Sequence, residues 1–234
     1  MILNYYIIAD LHLNELRPKT TELFKQFLKK ISSLNNALFI LGDFFDYWVG
    51  DDVLSKMQLN IIECLATAHD TGLKIYLMHG NRDFLIGESF VKSAKILLID
   101  DPYLLQLKHK HILFMHGDLL CTNDKSYLLF RKFVRNTLIK KLYLLLPPHT
   151  RQKIAEKIRH QSQQKNKKYK IIDVTAKGIQ KYLGKHKFLI HGHTHLINIH
   201  HEQSYMRYVL GDWFNSGSYI HINFNENIAL LNLG

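Results

Sequence analysis

The chain has 234 residues, of which 47% are hydrophobic and 22% charged, so it is long enough for one domain and is neither disordered nor fibrous. Its formal net charge is +11, and the excess is local, because residues 125–170 hold fourteen Lys or Arg and a single acid, Glu156. Two cysteines, Cys64 and Cys121, are too few for a disulfide framework and indicate a reducing compartment.

Short apolar runs alternate with amphipathic segments along the chain, which is typical of a mixed α/β sandwich. The first run ends at Asp10 and lacks a basic start, so it predicts a buried strand rather than a signal peptide. No stretch approaches the roughly 18 apolar residues of a membrane span. In chain order, the predicted elements are strand 2–9, helix 20–34, strand 37–41, helix 54–69, and strands 73–78, 104–107, 112–115, 188–190, 206–210, 219–224 and 228–231.

The basic segment differs from its surroundings, because large apolar residues lie among cations until Pro147 and Pro148 interrupt the pattern. We interpret residues 120–171 as a helical cap inserted into a core formed by residues 1–119 and 172–234. Such an amphipathic helical segment can lie on an anionic membrane or line a pocket for acyl chains. The alternative is a solvated helical face whose apolar stripe packs on the core.

Polar residues with catalytic potential directly follow five of the predicted strands. Strand ends are where open α/β sheets bind ligands, and glycines in these turns allow tight backbone conformations. The blocks are Asp10-Leu11-His12, Gly42-Asp43-Phe44-Phe45-Asp46, Gly80-Asn81-Arg82-Asp83, His116-Gly117-Asp118 and His191-Gly192-His193-Thr194-His195. Asp46 and Asp118 could orient ligating imidazoles or simply form turns.

Each block alone is weak evidence, because an Asp at a strand end is often a helix N-cap and a lone His is often structural. Together the blocks offer about seven mixed nitrogen and oxygen ligands, which suit two divalent cations such as Mn²⁺, Fe²⁺ or Zn²⁺. A single structural zinc would need four ligands and would favour cysteine. The sequence therefore predicts a centre that binds two divalent cations.

The order of the blocks resembles the calcineurin-like metallophosphoesterases. Most of that superfamily has a histidine where this chain has Arg82, and the arginine variant is similar to the family of UDP-2,3-diacylglucosamine hydrolases, which act in lipid A biosynthesis. Residues 44–48, 50–52, 116–122 and 210–213 also match that family. Asn123, Leu196 and Ile197 depart from its pattern, and none of them is a candidate ligand.

The resemblance implies a calcineurin-like β-sandwich flanked by helices, with the helical cap inserted, and two Mn²⁺ per chain. The first metal would be held by Asp10, His12, Asp43 and His195. The second would be held by Asp43, Asn81, His116 and His193, so Asp43 would bridge the two. Arg82 would neutralise phosphoryl charge, since a guanidinium matches phosphate bidentately. A salt bridge to Asp83 is the alternative for Arg82.

The resemblance also implies the reaction. UDP-2,3-diacylglucosamine would be hydrolysed to UMP and 2,3-diacylglucosamine 1-phosphate by a metal-activated water that attacks the α phosphorus. The implied catalytic residues are Asp43, Asn81, Arg82 and His116. The implied substrate contacts are Asn81, Arg82, Asp124, Ser162, Asn166, Lys167 or Lys168, and His193. For the cap residues among them, a solvated helix face is the alternative.

We expect a cytoplasmic protein bound peripherally to the anionic face of the inner membrane, with no nucleic-acid partner. Two rival functions remain at this point. A phosphatase or nuclease could use the same core, although Arg82 and the lipid-like cap count against it. A basic nucleic-acid-binding protein would need exposed aromatic residues or a reading motif on its positive surface, and it would leave the seven ligands unexplained.

Overall fold

The computed structural model describes residues 2–168, 173–214 and 216–233, and for residues 162–168 it describes the backbone alone. The described strands are β1 (Asn4–Ile8), β2 (Asn36–Ile40), β3 (Lys74–Met78), β4 (Leu97–Ile99), β5 (Tyr103–Gln106), β6 (His111–Met115), β7 (Phe188–His191), β8 (Asn198–His201), β9 (Met206–Val209), β10 (Ser218–Ile222) and β11 (Ile228–Asn232). The described helices are α1 (Pro18–Ile31), α2 (Lys56–Asp70), α3 (Glu88–Ser93), α4 (Lys125–Val134), α5 (Thr137–Leu144), α6 (Pro148–Lys168) and α7 (Ala176–Leu183).

The strands form two mixed sheets. One has six strands in the order β11-β10-β1-β2-β3-β4, and the other has five in the order β5-β6-β7-β9-β8. Strands β1 to β4 run parallel to one another, as do β6, β7 and β9. Because the carboxyl ends of parallel strands meet at one edge of a sheet, the loops that follow β1, β2, β3, β6 and β7 can converge.

Three apolar clusters form the core, one between the two sheets and one between each sheet and the helices outside it. Ile7 of β1 lies in the layer between the sheets, whereas its neighbour Ile8 lies in the layer beneath α1 and α2, as the alternation of a strand requires. Phe39 stacks on Tyr76 at 4.5 Å between ring centroids and meets Phe114 of the opposite sheet at 5.1 Å. The sandwich is therefore closed by aromatic contacts across its middle.

Helices cover both outer faces of the sandwich. Phe24, Phe27 and Ile31 lie on one face of α1 and pack against the first sheet. On the other side, Ile179 and Leu183 of α7 pack against the second sheet. This β-sandwich flanked by helices confirms the predicted fold class.

All the predicted strands occur, with ends shifted by at most two residues, and both core helices occur with ends shifted by at most three. The sequence did not predict α3, β4, β8 or α7. Each of these elements has eight residues or fewer. The residues of β4 and β8, which are edge strands of the two sheets, are exposed or half-exposed. These segments are too short for a helical or strand periodicity of apolar residues to be recognised in the sequence.

Three successive helices occupy most of the basic segment. Asp124 and Asn136 cap α4 and α5 by accepting backbone N–H groups, and Pro148 begins α6, where its missing N–H costs nothing. Neither α4 nor α5 contains a fully buried residue. Among the described residues, no helix is both long enough and apolar enough to cross a bilayer. The cap boundaries at 120 and 171 stay a prediction.

Candidate metal centre

The loops after β1, β2, β3, β6 and β7 meet at one edge of the sandwich and bring all seven candidate ligands together. The His193 backbone N–H donates to Asp10 Oδ2 at 2.7 Å, which links the second sheet to the first. The backbone N–H of Asp10 donates to the Gly42 carbonyl at 3.2 Å, and that of His12 donates to the Asp43 carbonyl at 2.9 Å. These bonds fix the relative positions of the three loops.

A first group of ligand atoms belongs to Asp10, His12 and His195, which all lie within 4.8 Å of one another. The Nε2 atoms of His12 and His195 are 3.3 Å apart, and His195 Nε2 lies 3.5 Å from Asp10 Oδ1. A second group within the same limit comprises Asp10, Asp43 and His116. Asp10 occurs in both groups, whereas the resemblance in sequence assigns it to the first metal alone.

Asp43 lies between the two histidines expected to bind different metals. Its Oδ2 is 3.9 Å from His12 Nδ1, and its Oδ1 is 3.7 Å from His116 Nε2. Asn81 extends the second group, because its Oδ1 lies 3.0 Å from both His116 Nε2 and His193 Nδ1. A carboxylate with one oxygen towards each group is the arrangement that a bridging ligand needs.

The donors fit divalent cations. Asp10, His12, Asp43 and His116 are at most 4% exposed, so water cannot easily compensate for their polar atoms. Asp10 Oδ1 and His12 Nδ1 are buried and find no hydrogen-bond partner among the described residues. Buried polar atoms are normally paired, and a bound cation would supply the missing partner.

Electrostatics among the ligand side chains point the same way. Burial raises the pKa of Asp43 to about 7, opposed by His116 and reinforced by neighbouring carboxylates. Burial would also raise the pKa of Asp10, but the adjacent His195 holds it below its usual range. Burial would lower the pKa of His195, yet Asp10 and Asp212 raise it to about 10. The carboxylates therefore need positive charge, which protons provide when no cation does.

The backbone of the centre is strained. Asp10, His12, Asp43, His193 and His195 all have left-handed φ angles, between 48° and 69°. Side chains with a Cβ rarely adopt this region, and such outliers cluster at functional sites. The left-handed turns let residues close in sequence aim their side chains at one point.

Gly80 makes the close approach of two ligand loops possible. A Cβ at Gly80 would lie 2.2 Å from both the backbone nitrogen and Oδ1 of Asp43. The adjacent Gly42 has a φ of 87°, and a Cβ there would lie 2.6 Å from Gly80 Cα. Any larger residue at either position would push the loop of Asp43 away from the loop of Asn81.

Two ligand imidazoles are oriented by groups behind them. His116 Nδ1 lies 2.9 Å from the Leu41 carbonyl, and His195 Nδ1 lies 3.3 Å from Asp212 Oδ2. Such partners fix the tautomer and the ring direction of a ligating histidine. No role is predicted for Asp212 from the sequence, although its position shortly after β9 was a signal of the kind used for the other blocks.

Asp46 and Asp118 do not orient imidazoles. Asp46 Oδ2 pairs with the Arg159 guanidinium at 2.5 Å and also accepts from Asn14. Asp118 Oδ2 accepts from Arg131 Nε at 2.6 Å. Neither carboxylate hydrogen-bonds to a ligand histidine among the described residues, and each instead holds a helix of the basic segment.

Arg82 is not paired with Asp83. Asp83 is buried and accepts backbone N–H groups from Phe44 and Gly80, at 2.7 and 2.8 Å, so it shapes the loops. The Arg82 backbone N–H donates to Asp43 Oδ1 at 2.8 Å, and its Nε lies 4.0 Å from Asp43 Oδ2. The Arg82 side chain is 20% exposed, so its guanidinium remains accessible to an anion beside the centre.

Arginines of the basic segment fasten it to the core. Arg131 pairs with Asp118 and, through Nη2, with Asp101 at 3.2 Å. Arg135 donates to the Gly80 carbonyl at 2.7 Å, directly before the Asn81 ligand. These two cations are therefore engaged by the protein itself, so only part of the local charge excess is free to face an anionic membrane.

The start of α6 is fastened in the same way. The Arg151 side chain is 1% exposed, donates to the Val49 carbonyl at 2.6 Å and pairs with both carboxylate oxygens of Asp52. Its Nε donates to the Leu146 carbonyl at 3.0 Å. Lys140 donates to the Phe84 carbonyl at 3.1 Å, and the lysines exposed in the described part of this segment are Lys125, Lys132, Lys141, Lys153 and Lys157.

An apolar cavity of about 280 Å³ lies between α4–α6 and the loops after β2 and β3. Two of its lining residues, Asn81 and Arg82, belong to the metal centre, so the cavity reaches the centre directly. The apolar lining residues are Trp48, Phe84, Leu85, Phe130, Phe133, Val134, Ile139, Tyr143, Ile154, Ala155 and Ile158.

Asp124 is the one implied cap contact whose side chain is described. Its Oδ1 accepts from the Tyr127 backbone N–H at 3.0 Å and from the Ser126 hydroxyl at 2.9 Å. Both bonds use Oδ1, so Oδ2 remains available to a ligand. The side chains of Ser162, Asn166, Lys167 and Lys168 lie outside the described residues, and their implied contacts stay predictions.

Comparison with known proteins shows the family of this chain. The family model described as calcineurin-like phosphoesterase matches residues 3–196. A UDP-2,3-diacylglucosamine hydrolase of Haemophilus ducreyi is 45% identical over 218 residues, covering 91% of this chain and 92% of that protein. One of Pseudomonas entomophila is 44% identical over 219 residues, covering 90% and 91%. A solved archaeal phosphodiesterase structure covers 99% of this chain with a TM-score of 0.47 and 13% identity.

Proposed function

This chain belongs to the calcineurin-like phosphoesterase family, among the UDP-2,3-diacylglucosamine hydrolases, and on that premise we propose that it hydrolyses the pyrophosphate bond of UDP-2,3-diacylglucosamine to UMP and 2,3-diacylglucosamine 1-phosphate in lipid A biosynthesis. The observation that carries the proposal is the apolar cavity that shares Asn81 and Arg82 with the metal centre. A nucleic acid or a small phosphate ester would have no use for such a cavity beside the reacting phosphorus.

Two divalent cations, with Mn²⁺ proposed, would be held by the seven ligands. Asp10, His12, Asp43 and His195 would hold the first, and Asp43, Asn81, His116 and His193 the second; Asp43 Oδ1 and Oδ2 face the two groups. When bound, such cations polarise a phosphoryl group and make water a nucleophile near neutral pH. The protein itself holds the ligand atoms in fixed positions that are shielded from water, and it prevents other arrangements of these ligands.

Arg82 determines which phosphate of the substrate lies beside the cavity and which lies over the metal ligands. Its guanidinium lines the lipid cavity on one side and approaches Asp43 on the other. With the acyl chains in the cavity, the phosphate attached to the lipid sugar lies at Arg82, and the phosphate attached to uridine lies over the ligand cluster. Arg82 then stabilises the charge that develops on the departing sugar phosphate, which needs no proton. Attack at the phosphorus nearer uridine follows from this placement.

Asp124 and the residues that follow it would contact the sugar. The free Oδ2 of Asp124 suits a hydroxyl or amide donor on glucosamine. Ser162, Asn166 and Lys167 or Lys168 complete the proposed set. His193, whose Nδ1 lies 3.0 Å from Asn81 Oδ1, would contact the substrate phosphate from the opposite side of Asn81.

The segment from α4 to α6 is proposed as a cap that also rests on the anionic face of the inner membrane. Leu129 is 71% exposed, Leu138 64% and Leu145 81%, so a large apolar surface remains in contact with solvent. The exposed lysines Lys132 and Lys141 lie on the same two helices, α4 and α5. Apolar side chains beside lysines fit the boundary between headgroups and acyl chains.

The test is product analysis by mass spectrometry in water enriched in oxygen-18. We expect UMP and 2,3-diacylglucosamine 1-phosphate, with the heavy oxygen in UMP alone. Heavy oxygen in the lipid phosphate would contradict the placement of Arg82 while leaving the reaction intact. Recovery of unchanged substrate from Mn²⁺-loaded protein would contradict the proposed function itself.

A further inference from the structure

The metal centre has two sides, and the apolar cavity occupies only one. Asn81 and Arg82 line the cavity, whereas His12 and His195 do not. The proposed substrate has two unlike halves joined by a pyrophosphate. If its lipid half enters the cavity, its nucleotide half must extend past the ligands of the first metal. This inference rests on the proposed function and asks what receives the nucleotide.

An aromatic ring and a guanidinium lie on that second side. The Phe214 ring centroid is 5.7 Å from that of His12 and 6.2 Å from that of His195. The Arg17 guanidinium carbon lies 3.7 Å above the Phe214 ring. Although Phe214 directly follows the buried Trp213, it is 41% exposed. Arg17 covers one face of the ring, and the exposed remainder of Phe214 lies next to two ligand imidazoles.

Arg17 differs from the arginines that fasten the basic segment. Arg131, Arg151 and Arg159 each pair with a carboxylate, whereas the Arg17 side chain makes no hydrogen bond or salt bridge with any described residue. Its Nη1 is buried and unpartnered. Asp46 is a possible counter-ion for Arg17, but it pairs with Arg159 instead. A buried N–H donor without an acceptor is unfavourable, so the site is incomplete without an added acceptor.

We propose that Phe214 and Arg17 form the subsite for the UMP half of the substrate. The Phe214 ring stacks on the uracil, and the guanidinium donates to acceptor oxygens of the nucleoside. A planar base with carbonyl oxygens is what a stacked aromatic ring and arginine recognise. The binding is non-covalent, and the metal ligands next to it receive the phosphate of the same nucleotide.

Another opening also reaches His195 but fits a nucleotide less well. It measures about 460 Å³ and lies beside Leu196 and Ile197. Asp173 and Arg207 both line it, so one acid offsets one cation and the opening offers little net attraction for a phosphate. No Phe, Tyr or Trp occurs among the described residues that line it, and the rings there are the imidazoles of His195, a candidate metal ligand, and His200.

Calorimetric titration of Mn²⁺-loaded protein with UMP, and separately with 2,3-diacylglucosamine 1-phosphate, tests the subsite. We expect Phe214→Leu to weaken UMP binding about 30-fold, the middle of the range for losing one base–aromatic stack, and Phe214→Tyr to keep it. Arg17→Lys should also weaken UMP binding, because lysine keeps the charge but loses the planar fork. Binding of the lipid product should not change in any of the three.

Phe224 supplies the matched control, because it is 69% exposed on the turn between β10 and β11, and Phe224→Leu should bind UMP like the unmodified chain. Metal content is measured for each variant, since Phe214 lies near two ligands. Unchanged UMP binding in both Phe214→Leu and Arg17→Lys would overturn the subsite. So would equal losses for UMP and for the lipid product, or unmodified protein that does not bind UMP.

Turnover separates this inference from the proposed function. The unmodified chain should hydrolyse UDP-2,3-diacylglucosamine, and Phe214→Leu should raise KM more than it lowers kcat. Hydrolysis by the unmodified chain with normal UMP binding in the variants would refute the subsite alone. Absence of hydrolysis by the unmodified chain would refute the proposed function.

Discussion

Replacing Arg131 with methionine should destabilise the protein strongly, because it leaves two buried carboxylates without their counter-ion. Asp118 and Asp101 have side chains that are 0% and 4% exposed, and the Arg131 side chain is 15% exposed. Removing one partner from a buried ion pair costs about 3–5 kcal/mol, far more than the loss of a surface pair. For a chain of this size, that corresponds to a fall of about 6–20 °C in the apparent melting temperature.

The assay is thermal unfolding followed by circular dichroism at one fixed Mn²⁺ concentration, because bound metal also stabilises the folded state. Lys132→Met is the matched control, since Lys132 is the exposed neighbour of Arg131 and should change stability by no more than about 0.5 kcal/mol. Adding Asp118→Asn to Arg131→Met should restore part of the loss by removing one stranded charge. Equal melting temperatures for Arg131→Met and Lys132→Met would refute the reasoning.

Three further predictions concern the centre and the cap. Asp43→Asn should abolish turnover in a folded protein, because Asp43 faces both ligand groups. Chelation of the metals should also abolish turnover, and added Mn²⁺ should restore it. Near-normal turnover in the folded Asp43→Asn variant would contradict the two-metal centre. Arg82→Ala should lower kcat about 10²–10³-fold, the usual cost of losing one charge-stabilising donor, and an unchanged kcat would remove its proposed role. Lys132→Ala and Lys141→Ala should each weaken binding to anionic vesicles about fivefold, and added salt should weaken the binding of the unmodified chain as well. Lys19→Ala, at an exposed position on α1, is the control and should not change binding. Co-sedimentation with vesicles measures binding, and equal binding by all three variants would contradict the proposed membrane surface.

The core of the fold could be predicted because its signals are local. Runs such as residues 37–41 are apolar throughout, since β2 is buried on both faces, and the Phe24 and Phe27 stripe of α1 repeats at helical spacing. Short or exposed elements gave no comparable signal. In β8, which reads Asn-Ile-His-His at a sheet edge, no residue is fully buried, so nothing in its composition distinguishes it from a loop.

The candidate ligands were also visible in the sequence, because each follows a strand. Their conformations were not, since nothing in the local sequence requires Asp10 or His12 to adopt a left-handed backbone. The partners of the cap arginines were hidden for a different reason. Arg151 and Asp52 are 99 residues apart, and Arg159 meets Asp46 across a similar separation, so only tertiary structure brings them together. The basic segment consequently looked more available to partners than it is.

The left-handed backbones have a consequence for laboratory evolution of this protein. Only glycine occupies such angles freely, and other residues pay roughly 1–2 kcal/mol each, somewhat less for aspartate. Asp10 and His12 add buried polar atoms that lack partners in the metal-free chain. A library selected for heat resistance without any demand for turnover should therefore accumulate glycines at these positions first. At these positions, substitutions that raise thermal stability would lower activity. A stabilisation campaign should therefore leave all five residues with left-handed backbones unchanged.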